Sequence, residues 1–223
     1  MSQRLVATAL FMLLTCASTF AQTRYELYPY AGGFFPRSSN SDYGQFRNEG
    51  IFGVKGAVRI PSNWEFGGNF GYISHFQPEP GSGFWEAVAP QNRSSVRGFI
   101  IEMTGDYNLV KDIFGSKVTP YVGGGLGVLT AHVTETANGD RTFFLAGGIP
   151  QIPGTNTGTH VIAINNNDSF FSISYGGGVK FNEVWGPLGF RGDLRGRTLP
   201  NVGGHSITAL ELTGGLTFVW GEK

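Results

Sequence analysis

An all-β fold is what this sequence predicts: an eight-stranded antiparallel up-and-down β-barrel that crosses a membrane. Three observations predict it. Segments of strand length alternate apolar with polar or small residues, the period of two that a pleated strand imposes. No apolar run of about 18 residues exists, so helical spans are not expected. The connections between the alternating segments are short and long in turn, as in barrels with tight turns at one rim and larger loops at the other. Composition agrees, because charged residues are only 14% while aromatics reach 14% and glycines number 35. A mean hydropathy of −0.07 suits a barrel that hides half of its strand residues from lipid.

The first residues read as a targeting segment. Arg4 precedes the apolar stretch Leu5 to Thr15, and Thr19-Phe20-Ala21 offers small residues before Gln22. Residues 1–21 are therefore expected to be a cleaved signal peptide and 22–223 the barrel domain. Cys16, the only cysteine, falls in the cleaved part, and Thr15 before it fits lipoprotein processing poorly. No disulfide is expected in the mature chain.

Eight strands follow in order. The first is about Arg24 to Phe35. The second, Ile51 to Ile60, sets Phe52, Val54 and Val58 against Lys55, Ala57 and Arg59, and Pro61-Ser62-Asn63 turns the chain. The third, Trp64 to Phe76, sets Trp64, Phe66, Phe70, Tyr72 and Phe76 against Glu65, Asn69 and His75. The fourth, Val96 to Leu109, sets Phe99, Ile101, Met103 and Tyr107 against Glu102, Thr104 and Asp106. The fifth, Val118 to Val133, sets Val122, Leu126 and Val128 against Tyr121, Gly123, Gly125 and Gly127. The sixth, Ser169 to Phe181, sets Phe171, Ile173 and Tyr175 against Ser172, Ser174 and Lys180. The seventh, Leu188 to Thr198, sets Phe190 and Leu194 against Arg191, Asp193, Arg195 and Arg197. The eighth sets Leu210, Leu212, Leu216, Phe218 and Trp220 against Glu211, Thr213 and Thr217. Its aromatic end marks a girdle at a membrane interface.

Residues 61–63, 110–117 and 182–187 are the shorter connections, and 36–50, 77–95, 134–168 and 199–206 the longer ones. This asymmetry predicts an outer-membrane location of Gram-negative type, with both termini in the periplasm. Within 134–168, Phe143-Phe144-Leu145 and Val161-Ile162-Ala163-Ile164 have the makings of an extra hairpin, so ten strands are the alternative count.

Several pieces carry a family resemblance. Pro120-Tyr121-Val122-Gly123-Gly124-Gly125-Leu126-Gly127, Phe190-Arg191-Gly192-Asp193-Leu194-Arg195, the opening Tyr25-Glu26-Leu27 and the closing Leu216-Thr217-Phe218-Val219-Trp220 resemble strands of the small OmpA-like outer-membrane β-barrel family. The resemblance covers about residues 24–220. It implies an eight-stranded antiparallel barrel inserted from the periplasm, with roles from wall anchoring to adhesion to narrow pores. No peptidoglycan-binding domain is expected after Trp220, so wall anchoring is not implied. The end Trp220-Gly221-Glu222-Lys223 also departs from the terminal aromatic of many such barrels.

The main candidate constellation is the inward polar set: Lys55, Arg59, Glu65, Glu102, Asp106, Lys180, Arg191, Asp193, Arg195, Arg197 and Glu211. A barrel of eight strands is just wide enough for side chains to fill. Opposite charges inside it are expected to pair, because removing one partner of a buried pair costs about 3–5 kcal/mol. On the lipid face a charge costs about 2–4 kcal/mol at the midplane, which explains why the charges share one parity. A salt-bridged plug is the leading reading, a narrow arginine-lined pore the second.

No catalytic residue, cofactor or metal ligand is expected. His205, Ser206 and Glu211 are close in sequence, but parity separates Ser206 from the other two. Six residues at about 3.4 Å each also keep Glu211 from orienting His205. Ser74-His75 meets the same obstacle, with His75 expected as a lumen hydrogen-bonder. His132 and His160 are expected to be solvated, and Asn138-Gly139-Asp140 and Asn165-Asn166-Asn167-Asp168 to be turn chemistry rather than calcium ligands. Gly123 to Gly127 lacks the Lys-Ser/Thr and the helix of a phosphate loop. A formal net charge of +0 with mixed signs argues against a nucleic-acid partner, and none is expected. The expected partners are outer-membrane lipid and the barrel-assembly machinery, with the ligand of the long loops unspecified. A channel for small solutes or hydrophobic molecules, a lipid-modifying enzyme and a soluble lipocalin-like barrel are the competing functions. The last would give strands three, five and eight a poor soluble surface.

Overall fold

The computed structural model describes residues 24–38, 46–60, 63–76, 95–109, 117–134, 142–146, 162–202 and 205–221. The expected signal peptide, Cys16, His160 and Asn138-Gly139-Asp140 lie outside them. The chain forms β1 (Arg24–Ser38), β2 (Glu49–Arg59), β3 (Trp64–Ile73), β4 (Val96–Asn108), β5 (Val118–Val133), β6 (Thr142–Ala146), β7 (Ile162–Asn165), β8 (Ser169–Trp185), β9 (Leu188–Val202) and β10 (His205–Gly221). Eight of these close a barrel in the order β1-β10-β9-β8-β5-β4-β3-β2, while β6 and β7 pair in a sheet of their own. The fold is therefore the eight-stranded antiparallel barrel, and the extra hairpin adds no strand to the wall. The seam is continuous, with Arg24 opposite Gly221 at one end and Ser38 opposite Ile207 at the other.

The last hairpin differs from the expectation of a longer loop over residues 199–206. Strand β9 runs on to Val202 and β10 starts at His205. The physical reason is burial: Leu199, Val202, Ile207 and Ala209 all face inward and are buried, so the strands continue to keep them covered. Strand β8 likewise extends to Trp185 through an irregularity after Phe181, where Glu183 takes φ 51°.

The outer wall is apolar over most of its height. Leu27, Phe66, Ile101, Met103, Leu126, Leu194 and Leu212 are exposed there, a face that only lipid accommodates over such an area. Aromatic pairs band the wall near the termini: Tyr25 stacks on Trp220 at 5.9 Å, Trp64 on Phe66 at 5.7 Å, and Trp185 meets Phe190 at 5.6 Å. A second group, Tyr72 and Phe99 at 5.3 Å, stands toward the loop end.

Beyond that second group the two faces exchange character. Arg37, Arg97, Ser169 and Thr208 are exposed on the outer wall. At that end the interior is an apolar cluster that includes Phe34, Phe46, Ile51, Ile73, Phe76, Val96, Ile100, Leu129 and Leu199. Below this level the barrel is greasy outside and polar inside. Above it, it has the polarity of a water-soluble barrel. The alternation in sequence keeps its period throughout; only its sign changes.

Candidate functional site

The barrel interior on the terminus side holds the ionisable side chains, in three tiers, the lower two joined through Arg191. Nearest the termini, Glu65 on β3 sits between Arg59, at 2.6 Å, and Lys180. Lys180 reaches Glu26 at 3.0 Å, and Glu26 accepts from Arg191 at 2.8 Å. Asn108 donates to Glu65 at 2.8 Å.

Asp106 is the hub of the middle tier. Its carboxylate lies 2.6 Å from Lys55, 2.8 Å from Arg191 and 2.9 Å from Arg195. Arg191 also donates to Asp193 at 3.0 Å and to the Tyr121 hydroxyl at 3.1 Å. Its guanidinium lies over the Tyr121 and Tyr28 rings, 4.4 and 5.0 Å from their centroids, which adds cation–π attraction in a desolvated setting.

In the upper tier Arg197 bridges two carboxylates, Glu211 on β10 and Glu102 on β4, the latter at 3.0 Å. It also donates to Ser172 at 2.6 Å. Glu102 accepts further bonds from Ser174 and from Asn69, and the Tyr30 hydroxyl donates to Asn69 at 3.0 Å. Above this tier the apolar cluster begins.

All eleven inward charges of the sequence set lie in these tiers. Lys55, Arg59, Lys180, Arg191, Arg195 and Arg197 are the cations, while Glu65, Glu102, Asp106, Asp193 and Glu211 are five of the carboxylates. Glu26 is the sixth carboxylate, which sequence reasoning missed. Two signals pointed to it: its parity opposite Tyr25 and Leu27, and the one-charge surplus of cations that its omission leaves. A buried network with an unpaired cation is disfavoured, so neutrality itself implies a further acid.

The glycines of β5 make room for this network. A Cβ at Gly125 would overlap the Glu102 carboxylate, and one at Gly123 the Asp106 carboxylate. The glycine run serves close packing of the neighbouring strand's acids. Tyr28, Tyr30 and Tyr121 fill the remaining inward space with rings whose hydroxyls find partners.

Of the catalytic candidates, the His205 side chain lies outside the described residues. Glu211 is engaged by Arg197. Ser74 Oγ and His75 Nδ1 both approach the same Glu49 oxygen, at 3.1 and 3.3 Å. A hydrolase places the histidine between serine and acid; here the acid lies between the other two. His75 stands just past β3, with its side chain 45% exposed, rather than in the lumen. The expectation of a lumen hydrogen-bonder fails because β3 ends at Ile73, short of His75, and for the same reason Phe76, expected on the greasy outer face, is buried in the interior cluster. His132, expected to be solvated, is half-buried and packs edge-on against Phe99 at 6.4 Å. Asp168 closes a turn by accepting from the Asn165 amide at 2.7 Å, with Asn167 at φ 70°. Among the described residues no group of three His, Cys, Asp or Glu is placed to hold a metal ion.

No protein-family model and no curated protein matches the chain. Solved structures do. Neisserial surface protein A is 13% identical with a TM-score of 0.56, over 87% of this chain and 96% of that one. The N-terminal β-barrel domain of Pseudomonas aeruginosa OprF is 12% identical, TM-score 0.47, over 89% and 98% of the two chains. Ail, the attachment invasion locus protein of Yersinia pestis, is 15% identical, TM-score 0.46, over 88% and 99%. The first of these likenesses carries the comparison, and it speaks to architecture alone. The chain has the fold of the small eight-stranded outer-membrane barrels.

Proposed function

We propose that this protein is an integral outer-membrane barrel with its loop end outside and its termini in the periplasm. Its lumen is closed to solutes, and it acts as a structural element that presents its loops at the surface rather than as a channel. The observation that carries this reading is the two-layer interior. Six cations and six carboxylates neutralise one another in the terminus half, and an apolar cluster follows in the loop half. An ion passing through would have to break the pairs and then cross apolar packing, two barriers of different chemistry in series.

Planar-bilayer recording on purified, refolded protein tests closure. Silent bilayers are the expected result, and reproducible unitary steps would overturn it. Orientation is tested with an impermeant maleimide on intact cells. Ser82→Cys, in the connection before β4, is expected to label, and Pro187→Cys, in the turn between β8 and β9, to stay unlabelled; the reverse pattern overturns the placement.

One observation favours a second reading for the inner half alone. Among the described residues, the Thr104 hydroxyl, the Asn108 carbonyl oxygen and the Thr217 hydroxyl are buried without a protein partner. Such atoms are usually satisfied by water. A hydrated inner vestibule that stops at the apolar cluster fits them without a continuous path.

A further inference from the structure

The outer wall carries a groove of about 560 Å³ between β1, β10, β9 and β8. Its construction follows from the register. Phe35 lies opposite Leu210, Leu210 opposite Gly196, and Gly196 opposite Tyr175, so one row across four strands has a missing side chain in it. Gly196 is the floor. A Cβ there would come within 2.7 Å of the Tyr175 ring, so the ring leans over the gap and no larger residue fits beneath it. Phe35, Leu194 and Leu210 complete an apolar trough.

The upper lip is different. Arg37 lies opposite Thr208 and Thr208 opposite Thr198, a polar row one step nearer the loops. Thr198 Oγ1 and the Tyr175 hydroxyl are 3.4 Å apart, which brings a third hydroxyl to this lip. Among the described residues, no carboxylate pairs with Arg37; its guanidinium only reaches the Pro36 carbonyl, at 3.5 Å. The level is that at which the wall turns from apolar to polar, where the acyl and headgroup regions of a bilayer meet. An apolar trough below an exposed cation and a row of hydroxyls complements an amphiphile with an acyl chain below and an anionic, sugar-borne phosphate above.

We propose that this groove seats one acyl chain of the phosphorylated glycolipid of the outer leaflet, with Arg37 against its phosphate. The assignment rests on the loop end facing outside. Arg97 supplies an internal control. It is an outward, exposed cation on β4, away from the four strands of the groove.

The test is native mass spectrometry on protein refolded in detergent. The probes are diphosphoryl lipid A, its dephosphorylated form and phosphatidylethanolamine. One diphosphoryl lipid A is expected to remain bound, with about tenfold preference over either other lipid, the scale of one charge-assisted hydrogen bond. Arg37→Gln is expected to abolish the preference. Leu210→Trp, which fills the trough, is expected to lower retention of both lipid A forms. Arg97→Gln is expected to change nothing. Equal loss in the two arginine variants overturns the site in favour of general attraction to anionic lipid, and equal retention of both lipid A forms removes Arg37's part. Folding of each variant is checked by the heat-dependent gel shift of closed barrels. Insertion into phospholipid vesicles separates the failures: a protein that does not insert overturns the membrane reading and the site together, and one that inserts without the preference overturns the site alone.

Discussion

Replacing Asp106 by asparagine removes the charge on which three cations converge. The side chain keeps its shape, so packing changes little, but the interior passes from neutral to one net positive charge. Lys55, Arg191 and Arg195 stand 2.6, 2.8 and 2.9 Å from this carboxylate, which is 1% exposed. Water cannot replace the lost charge there. Removing one partner of a buried pair costs about 3–5 kcal/mol, and three partners at once place Asp106→Asn in the upper part of that range. Arg191 keeps Glu26 and Asp193, whereas among the described residues the Lys55 ammonium and the Arg195 guanidinium keep no salt-bridged carboxylate. Most of the cost therefore falls on Lys55 and Arg195, each bridged to Asp106 alone. The assay is urea unfolding of refolded protein in lipid vesicles. With a slope of about 1–3 kcal/mol per molar urea, the midpoint falls by more than about 1 M. Adding Lys55→Met restores neutrality, so the double variant is expected to recover about 1–3 kcal/mol relative to the sum of the singles. A loss under about 1 kcal/mol for Asp106→Asn, or additivity in the cycle, would refute a lumen held closed by charge pairing.

Other substitutions probe the remaining layers. Glu26→Gln leaves Lys180 with Glu65 and Arg191 with Asp106, so its cost is expected to be smaller than that of Asp106→Asn, about 1.5–3 kcal/mol by the same unfolding assay. Gly125→Val places a branched side chain where the Glu102 carboxylate lies; a destabilisation of about 1–3 kcal/mol or failure to show the folded band on unheated gels is expected, and a wild-type band and midpoint would show the glycine to be dispensable. Met103→Arg puts a charge on the 79% exposed lipid face of β4, expected to cost about 2–4 kcal/mol in vesicles; a neutral result would mean that this wall does not meet hydrocarbon. Ile100→Ala, in the fully buried apolar layer, is expected to cost about 2–5 kcal/mol, and a cost near zero would show that layer to be loosely packed.

The strand pattern was legible because a period of two is a local property. Val118 to Val133 was bounded to the residue, since Tyr121, Gly123, Gly125 and Gly127 alternate with Val122, Leu126 and Val128. His75 and His132 were misjudged for the opposite reason: where a strand stops, and which ring lies beside a residue near a strand end, depend on neighbours that a local pattern does not contain. The hairpin between β9 and β10 was misjudged similarly. Pro200, Asn201 and Gly203 read as loop chemistry, but Val202 and Ile207 are buried, and that burial holds the strands together. Glu26 was visible in principle, because summing the inward charges left one cation too many.

Sequence by itself determined the all-β class, the eight strands of the wall and which parity of each membrane-spanning stretch meets lipid. These follow from alternation, since side chains on a strand have only two directions to point. The tertiary structure alone decided the height at which the two faces exchange polarity, and which charges meet. Arg191 reaches Glu26 across a sequence separation of 165 residues, and Arg197 reaches Glu102 across 95. Such pairings are set by strand register around a closed wall, and register is a relation between strands that no single strand carries.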